Sequence, residues 1–357
     1  MSKKIISLVL SLFMIISLVG CGEKYEKHTS IFLNTFDTVI QITAYTKSQE
    51  EFDKYYSYAQ SRFTELSKMY DKFYAYEGIN NIYTINKNAG KEPIKVDKEI
   101  IDLLQFSKEQ YAKTNGMVNI AMGRVLSIWQ EFISDAHDNK ATKLPTEEEL
   151  QKANEYSNID AIIVNEDFGT VFIDNKYTQI DVGAVAKGYA TQLVTDELKQ
   201  MGLKHFFINA GGNTVVGDKP LDGVHSKWTV GIQNPDAANT SSENQLIDAV
   251  VATNQSIVTS GDYQRFVMFN DERIHHIISG ETLFPANHYR SVSIVTEDSG
   301  LADIYSTALF CMELEDGQKF AQENNLKVMW VMPNGEVIVT DSLVPLLVER
   351  GNANNKL

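Results

Sequence analysis

The sequence predicts an α+β fold, and three observations carry that reading. Helical patterns gather in the first 200 or so residues, while the stretch after "HFFINA" is mostly β-branched and alternating. Strand and helix do not alternate regularly, which excludes a doubly wound parallel sheet. Turn signals such as Asn334-Gly335 sit between apolar runs at hairpin spacing. With 43% hydrophobic and 10% aromatic residues in a chain of 357, a folded body is expected rather than a disordered one.

The first residues, "MSKKIISLVLSLFMIISLVGCGEK", set two lysines before an apolar run and a small-residue site ending on Cys21. This is a secretory signal over residues 1–20, too short and wrongly flanked to span a membrane. Its end resembles the bacterial lipobox, which implies lipidation of Cys21, a polar tether over 21–30 and a lipid anchor on the extracytoplasmic face of the cell membrane.

Next, Ile31 to Tyr45 alternates and reads as a strand or hairpin arm. From Gln49 to about Tyr76, Phe52, Tyr56, Ala59, Phe63, Leu66, Met69, Tyr70 and Phe73 recur at spacings of three and four, giving one apolar helical stripe. A second helix starts near Asp97 and stops at "TNG", Thr114 to Gly116. Thr146 and Glu149 have capping-box spacing for a third. Ala161 to Val164 and Thr170 to Asp174 read as a hairpin, and "ATQLVTDELKQMG" as an amphipathic helix ending at Gly202. The remainder reads as strands, with one helix over Leu301 to Leu314, a last hairpin from Lys327, and a polar tail over 346–357.

Net charge is −15, from 47 acidic against 32 basic residues, which argues against a nucleic-acid partner. With Cys21 lipidated, Cys311 has no partner for a disulfide; it lies in an apolar helical run and reads as core.

Four stretches carry candidate chemistry. "DVGAVAKGYA" (181–190) fails both the Walker A and the dinucleotide templates. It still offers a tight turn at Gly183, N–H groups at a helix start, and Lys187 one turn in, an arrangement that suits an anion or simple capping. "NAGGN" (209–213) allows a ligand close backbone approach, or forms a plain turn. Arg265, Arg273, His275 and His276 form a third group; the two histidines face opposite sides of a strand, and one suits proton transfer. Asp303 and Thr307 stand four apart on one helix face, a hard-oxygen pair suited to Mg²⁺ or an ordinary helix-start acid.

In order, "FDT", "NGMVN…MG…W", "DVGAVAKGYA", "NAGGN", "WTVGIQNP", "TSGDYQRF", "HHII" and "ADIYSTAL" make a set that resembles the ApbE family, the FAD:protein FMN transferases. The resemblance implies an ApbE-like, T-fold-like mixed domain of antiparallel sheets and packed helices over 31–345. It also implies FAD as substrate, Mg²⁺ as cofactor, and an acceptor flavoprotein whose Ser or Thr receives FMN through a phosphoester bond, with release of AMP. By resemblance, FAD would meet Phe36, Met117, Val118, Asn119, Asp181, Lys187 and His276. His276 and Asp303 would be catalytic, and Mg²⁺ would be held by the Ala184 carbonyl, Asp303 and Thr307. Hydrolysis of FAD to FMN and AMP, or FAD binding without chemistry, are the alternatives. Two departures stand out: the family's "IIDPxTG" is "IISGETL" here (277–283), and Ser306 stands where some members have a second acid.

Overall fold

In this computed structural model, residues 24–237 and 245–354 are described, so the signal segment and Cys21 lie outside them. Strand β1 (Glu26–Thr35) pairs antiparallel with β2 (Thr38–Thr46). The expected tether over 21–30 is therefore shorter: Glu26 already registers against Thr46. Phe36 and Asp37 form the two-residue loop, with φ of 53° and 51°, the primed-turn geometry that matches strand twist. Both carry side chains in the left-handed region, at a cost of roughly 1 kcal/mol each. Phe36 is held there by its N–H on Ser67 Oγ at 3.2 Å.

Helix α1 (Gln49–Tyr70) starts on the Ser48 hydroxyl and buries Phe52, Ala59, Phe63, Leu66, Met69 and Tyr70. It stops short of the expected Tyr76. The Asp71 carboxylate accepts from Phe73 N–H (2.6 Å), Tyr74 N–H (3.2 Å) and the Tyr76 hydroxyl (2.7 Å), a local turn that competes with the helix. Phe73 thereby leaves the apolar stripe and is exposed.

Helix α2 (Ile82–Lys87), on a buried Asn81 cap, was not expected from pattern; β3 (Ile94–Lys95), α3 (Lys98–Lys113), α4 (Gly123–His137) and α5 (Glu147–Asn154) follow. The capping box of Thr146 and Glu149 is formed as predicted. After β4 (Ile162–Asn165) and β5 (Thr170–Ile173) come α6 (Ala186–Gln200), β6 (Phe206–Ala210), β7 (Asn213–Val216), β8 (Trp228–Gln233) and β9 (Leu246–Ala252). The chain continues through β10 (Gln255–Gly261), β11 (Phe266–Phe269), β12 (Glu272–His275), β13 (Ser291–Thr296), α7 (Ser299–Cys311), α8 (Leu314–Glu323), β14 (Lys327–Val331), β15 (Val337–Val339) and α9 (Val348–Gly351). Helix α7 ends before the expected Leu314 and is capped by Asp298, whose carboxylate accepts from Leu301 N–H at 2.8 Å.

An eight-stranded sheet in the order β1-β2-β6-β7-β10-β13-β14-β15, antiparallel throughout, forms the middle layer. Helices α1, α6 and α7 share one core with it, around Phe63, Val194 and Phe310. The β8–β9 hairpin covers a second core around Trp228, Ile257 and Met329. A third cluster joins α4 and α5 to the β11–β12 hairpin through Trp129, Phe132, Leu150 and Ile274. Cys311 is buried and free, its thiol pushed up to about 12 by burial, in keeping with a core role.

The polar tail expected from residue 346 begins later than that. Leu347 is fully buried in the second core, and the buried Asp248 carboxylate accepts from Glu349 N–H (2.9 Å) and Arg350 Nη1 (3.0 Å). Leu347→Ala should therefore cost about 2–5 kcal/mol, read as a lowered denaturant midpoint. A change within about 0.5 kcal/mol, the range of a surface substitution, would show that this segment is not part of the folded body.

Candidate functional site

The turn before α6 is fixed at both ends. Asp181 N–H donates to Ile120 O (2.8 Å), tying the turn to the segment Met117, Val118 and Asn119. Asn119 itself staples that segment, donating to Ser157 O (2.8 Å) and accepting from Ala121 N–H (2.9 Å). Val118 is buried, whereas Met117 is half-buried, and its carbonyl lies beside Gly280.

The Asp181 carboxylate, expected to meet FAD, accepts hydrogen bonds from protein donors. Lys72 Nζ lies 2.5 Å away, Gly183 N–H 2.8 Å and Gln130 Nε2 3.3 Å. Burial opposes ionisation, but Lys72 and these hydrogen bonds prevail and hold the carboxyl below its usual range. Lys72 and Gln130 were not singled out by sequence, because nothing local marks pairings across 109 and 51 residues.

Helix α6 then runs against α7 at very short range. A Cβ on Gly188 would collide with the Asp303 Cβ and the Ser299 carbonyl. Gly188 N–H donates to Asp303 Oδ2 at 2.7 Å. This contact brings Lys187, the residue before Gly188 in the first turn of α6, close to the Asp303 carboxylate. Thr307 is within 3.3 Å of the Ser260 hydroxyl. Ser306 is buried and spent on structure: its hydroxyl donates to Asp303 O (2.9 Å) and pairs with Ser260 (2.8 Å).

Lys187 Nζ donates to Gly211 O at 2.9 Å. Gly211, at φ 58°, is packed so closely on Thr38 that no side chain fits, so "FDT" and "NAGGN" meet beside Lys187. Burial lowers the Lys187 pKa and Asp303 raises it in part. Arg265 Nη2 reaches Asp37 O at 3.4 Å.

The two histidines separate as expected. His275 is buried, with Nε2 on Ala286 O at 2.8 Å and Nδ1 accepting from Ile277 N–H at 3.2 Å. His276 is exposed, and its Nδ1 lies 3.2 Å from Arg265 O. A carbonyl can only accept, so Nδ1 carries the proton and Nε2 keeps its lone pair for the site. Crowding by surrounding protein, then Arg265 and His275, push the His276 pKa down to about 4.

The departure at "IISGETL" is compensated locally. The Ser279 hydroxyl accepts from Glu281 N–H (3.2 Å) and Thr282 N–H (3.3 Å), as a turn carboxylate would. Leu283 takes the left-handed φ of 64° where the motif has glycine, is buried, and gives its carbonyl to Trp129 Nε1 (2.8 Å).

The donor set suits Mg²⁺. Asp303 is a buried carboxylate whose pKa is raised by burial and only partly restored by Lys187 and Gly188 N–H, so its charge is under-compensated. Asn213, also buried, lies against it, though its Nδ2 makes no bond of good geometry. No group of three or more His, Cys, Asp or Glu side chains converges among the described residues. A cation here would use one carboxylate, the Thr307 hydroxyl, a main-chain oxygen and oxygens from water or substrate, a set typical of Mg²⁺.

Comparison with known proteins agrees with this architecture. The family model described as "ApbE family" matches residues 36–330. An FAD:protein FMN transferase of Klebsiella pneumoniae is 28% identical over 290 residues, covering 78% of this chain and 84% of that protein. One of Haemophilus influenzae is 25% identical over 354 residues, covering 95% and 96%. The ApbE protein of Thermotoga maritima superposes with a TM-score of 0.74 at 21% identity, over 90% of this chain and 99% of that one. The flavin transferase ApbE of Vibrio cholerae gives 0.73 at 19%, over 90% and 100%. At such identities these two structures speak for the fold.

Proposed function

The chain belongs to the ApbE family, and from that membership we propose that it is an FAD:protein FMN transferase, moving FMN from FAD to a Ser or Thr hydroxyl of a target flavoprotein and releasing AMP. The observation that supports this best is the Gly188–Asp303 contact, which sets Lys187 close to the Asp303–Thr307 face, with His276 held nearby by the Arg265 carbonyl. Those are the parts that attack of a hydroxyl on a diphosphate requires: positive charge at the phosphates and a proton acceptor.

Bound at Asp303, Thr307 and the Ala184 carbonyl, Mg²⁺ would supply Lewis-acid stabilisation of the phosphate oxygens. Lys187 neutralises further phosphate charge. His276 Nε2 takes the proton of the attacking hydroxyl as the new P–O bond forms on the FMN phosphorus and the bond to AMP breaks. Asp181 acts through the turn it fixes with Lys72 and Gly183. In this reading the backbone at Met117 to Asn119 and the Phe36 loop contact the flavin. The signal ending on Cys21 places the enzyme, in this reading, on a lipid anchor outside the cytoplasmic membrane, with its acceptor on that same side.

The test incubates the protein lacking residues 1–21 with FAD, Mg²⁺ and an acceptor domain carrying a Ser or Thr site. AMP release matched by an acceptor mass gain of one FMN supports transfer. AMP without an adduct points to hydrolysis, and FAD bound without AMP to a carrier.

A base works only when deprotonated, so activity falls as pH drops through its pKa. Because that of His276 is lowered to about 4, the acid limb of kcat/KM is expected well below pH 6.5, the ordinary imidazole value. A limb at 6.5 or above that disappears in His276→Gln would contradict the proposed environment.

A further inference from the structure

The sequence holds six arginines, and five are occupied in the structure. Arg62 is shared by Glu65, Glu99 and Glu197. Arg273 meets Asp262, Arg290 meets Asp262 and Asp236, and Arg350 meets Asp248. Arg124 lies over the rings of Tyr156 and Tyr177. Arg265 has neither ion pair nor ring contact among the described residues; its guanidinium makes only the long bond to Asp37 O at 3.4 Å.

Its position is equally specific. The Arg265 carbonyl orients His276 through Nδ1 at 3.2 Å. Its side chain rests on the Phe36–Asp37 loop, next to Thr38, on which Gly211 packs; Gly211 in turn holds Lys187 Nζ at 2.9 Å. From these contacts we infer that Arg265 binds the diphosphate of FAD, as a second fixed cation beside Lys187. The inference rests on the functional reading above and adds a residue to it.

Chemical demand favours such a group. The diphosphate bridge carries two negative charges, and a further one develops on AMP as the P–O bond breaks. A guanidinium presents paired N–H donors in a fork that matches two phosphate oxygens, which an ammonium cannot do. An ordinary solvated surface arginine would explain its exposure. It would not explain why its side chain lies on the Phe36–Asp37 loop while its own carbonyl holds the ring of His276, two neighbours of the Lys187 site.

The experiment measures dissociation constants by flavin fluorescence, with Mg²⁺ present, for FAD and for riboflavin, which lacks phosphate. Loss of charge-assisted hydrogen bonds in Arg265→Ala should weaken FAD on the order of 10–100-fold, leave riboflavin within about 2-fold, and be partly rescued in Arg265→Lys. If the wild type prefers FAD to riboflavin but Arg265→Ala does not change FAD affinity, the arginine assignment alone falls. It falls also if riboflavin weakens as much as FAD, since the effect is then on site shape. A wild type that binds FAD no better than riboflavin overturns both this inference and the functional reading on which it rests.

Discussion

Asp303→Asn is expected to lower Mg²⁺-dependent FAD turnover by at least about 10³-fold, because it removes the one carboxylate of the metal site and with it several kcal/mol of Lewis-acid stabilisation. The protein should remain folded. Asn keeps an oxygen to accept from Gly188 N–H, now 2.7 Å from Asp303 Oδ2. The sign of the pKa shift points the same way: burial raises the Asp303 carboxyl above its ordinary value. Without metal, the ionised group therefore subtracts stability once pH rises above that value, and Asn removes the penalty. Thermal unfolding separates the effects: Mg²⁺ with FAD should raise the midpoint of the wild type but not of the variant. Undiminished Mg²⁺-dependent turnover in Asp303→Asn would sink the metal assignment.

The second large effect is expected for Gly188→Ala. In an isolated helix this exchange would add up to about 1 kcal/mol. Here the new methyl would meet the Asp303 Cβ and the Ser299 carbonyl, atoms of a neighbouring buried helix that cannot swing aside. Overpacking of this kind costs about 1–3 kcal/mol or more, so a net loss of stability is expected. The activity loss should exceed the stability loss. Pushing α6 from α7 separates Lys187 and the Ala184 carbonyl from Asp303 and Thr307, and misplacement by about 1 Å can cost on the order of 10²-fold in rate. The check is kcat at a temperature where both proteins are fully folded. A variant as stable and active as the wild type would show that the two helices are not held at this separation.

These effects show where the sequence was informative. Periodicity revealed α1 and the closing hairpin, and capping chemistry revealed α5, because those signals are local. The end of α1 was misplaced by six residues, since Asp71 takes three donors from the next turn, a contest that apolar spacing does not record. In the "DVGAVAKGYA" stretch, sequence pattern offered a tight turn at Gly183 and helix-start N–H groups for an anion, and gave Gly188 only the part of failing the Walker A template. The structure gives Gly188 a different task, close helix packing, and gives Asp181 a partner, Lys72, that no spacing rule joins to it. Arg265 stood in a recognisable cluster, but its lack of a carboxylate partner became visible only once the other arginines were placed.

The central claim is that the 181–187 turn and the Asp303–Thr307 face form one metal-and-diphosphate site. It is tested most directly by anomalous diffraction from crystals soaked with FAD and Mn²⁺ in place of Mg²⁺. The account predicts a single anomalous peak at bonding distance, about 2.1–2.2 Å, from an Asp303 oxygen, the Thr307 hydroxyl and the Ala184 carbonyl, with the FAD diphosphate completing the shell beside Lys187. FAD density with the metal peak elsewhere, or with no peak at these three groups, would contradict it.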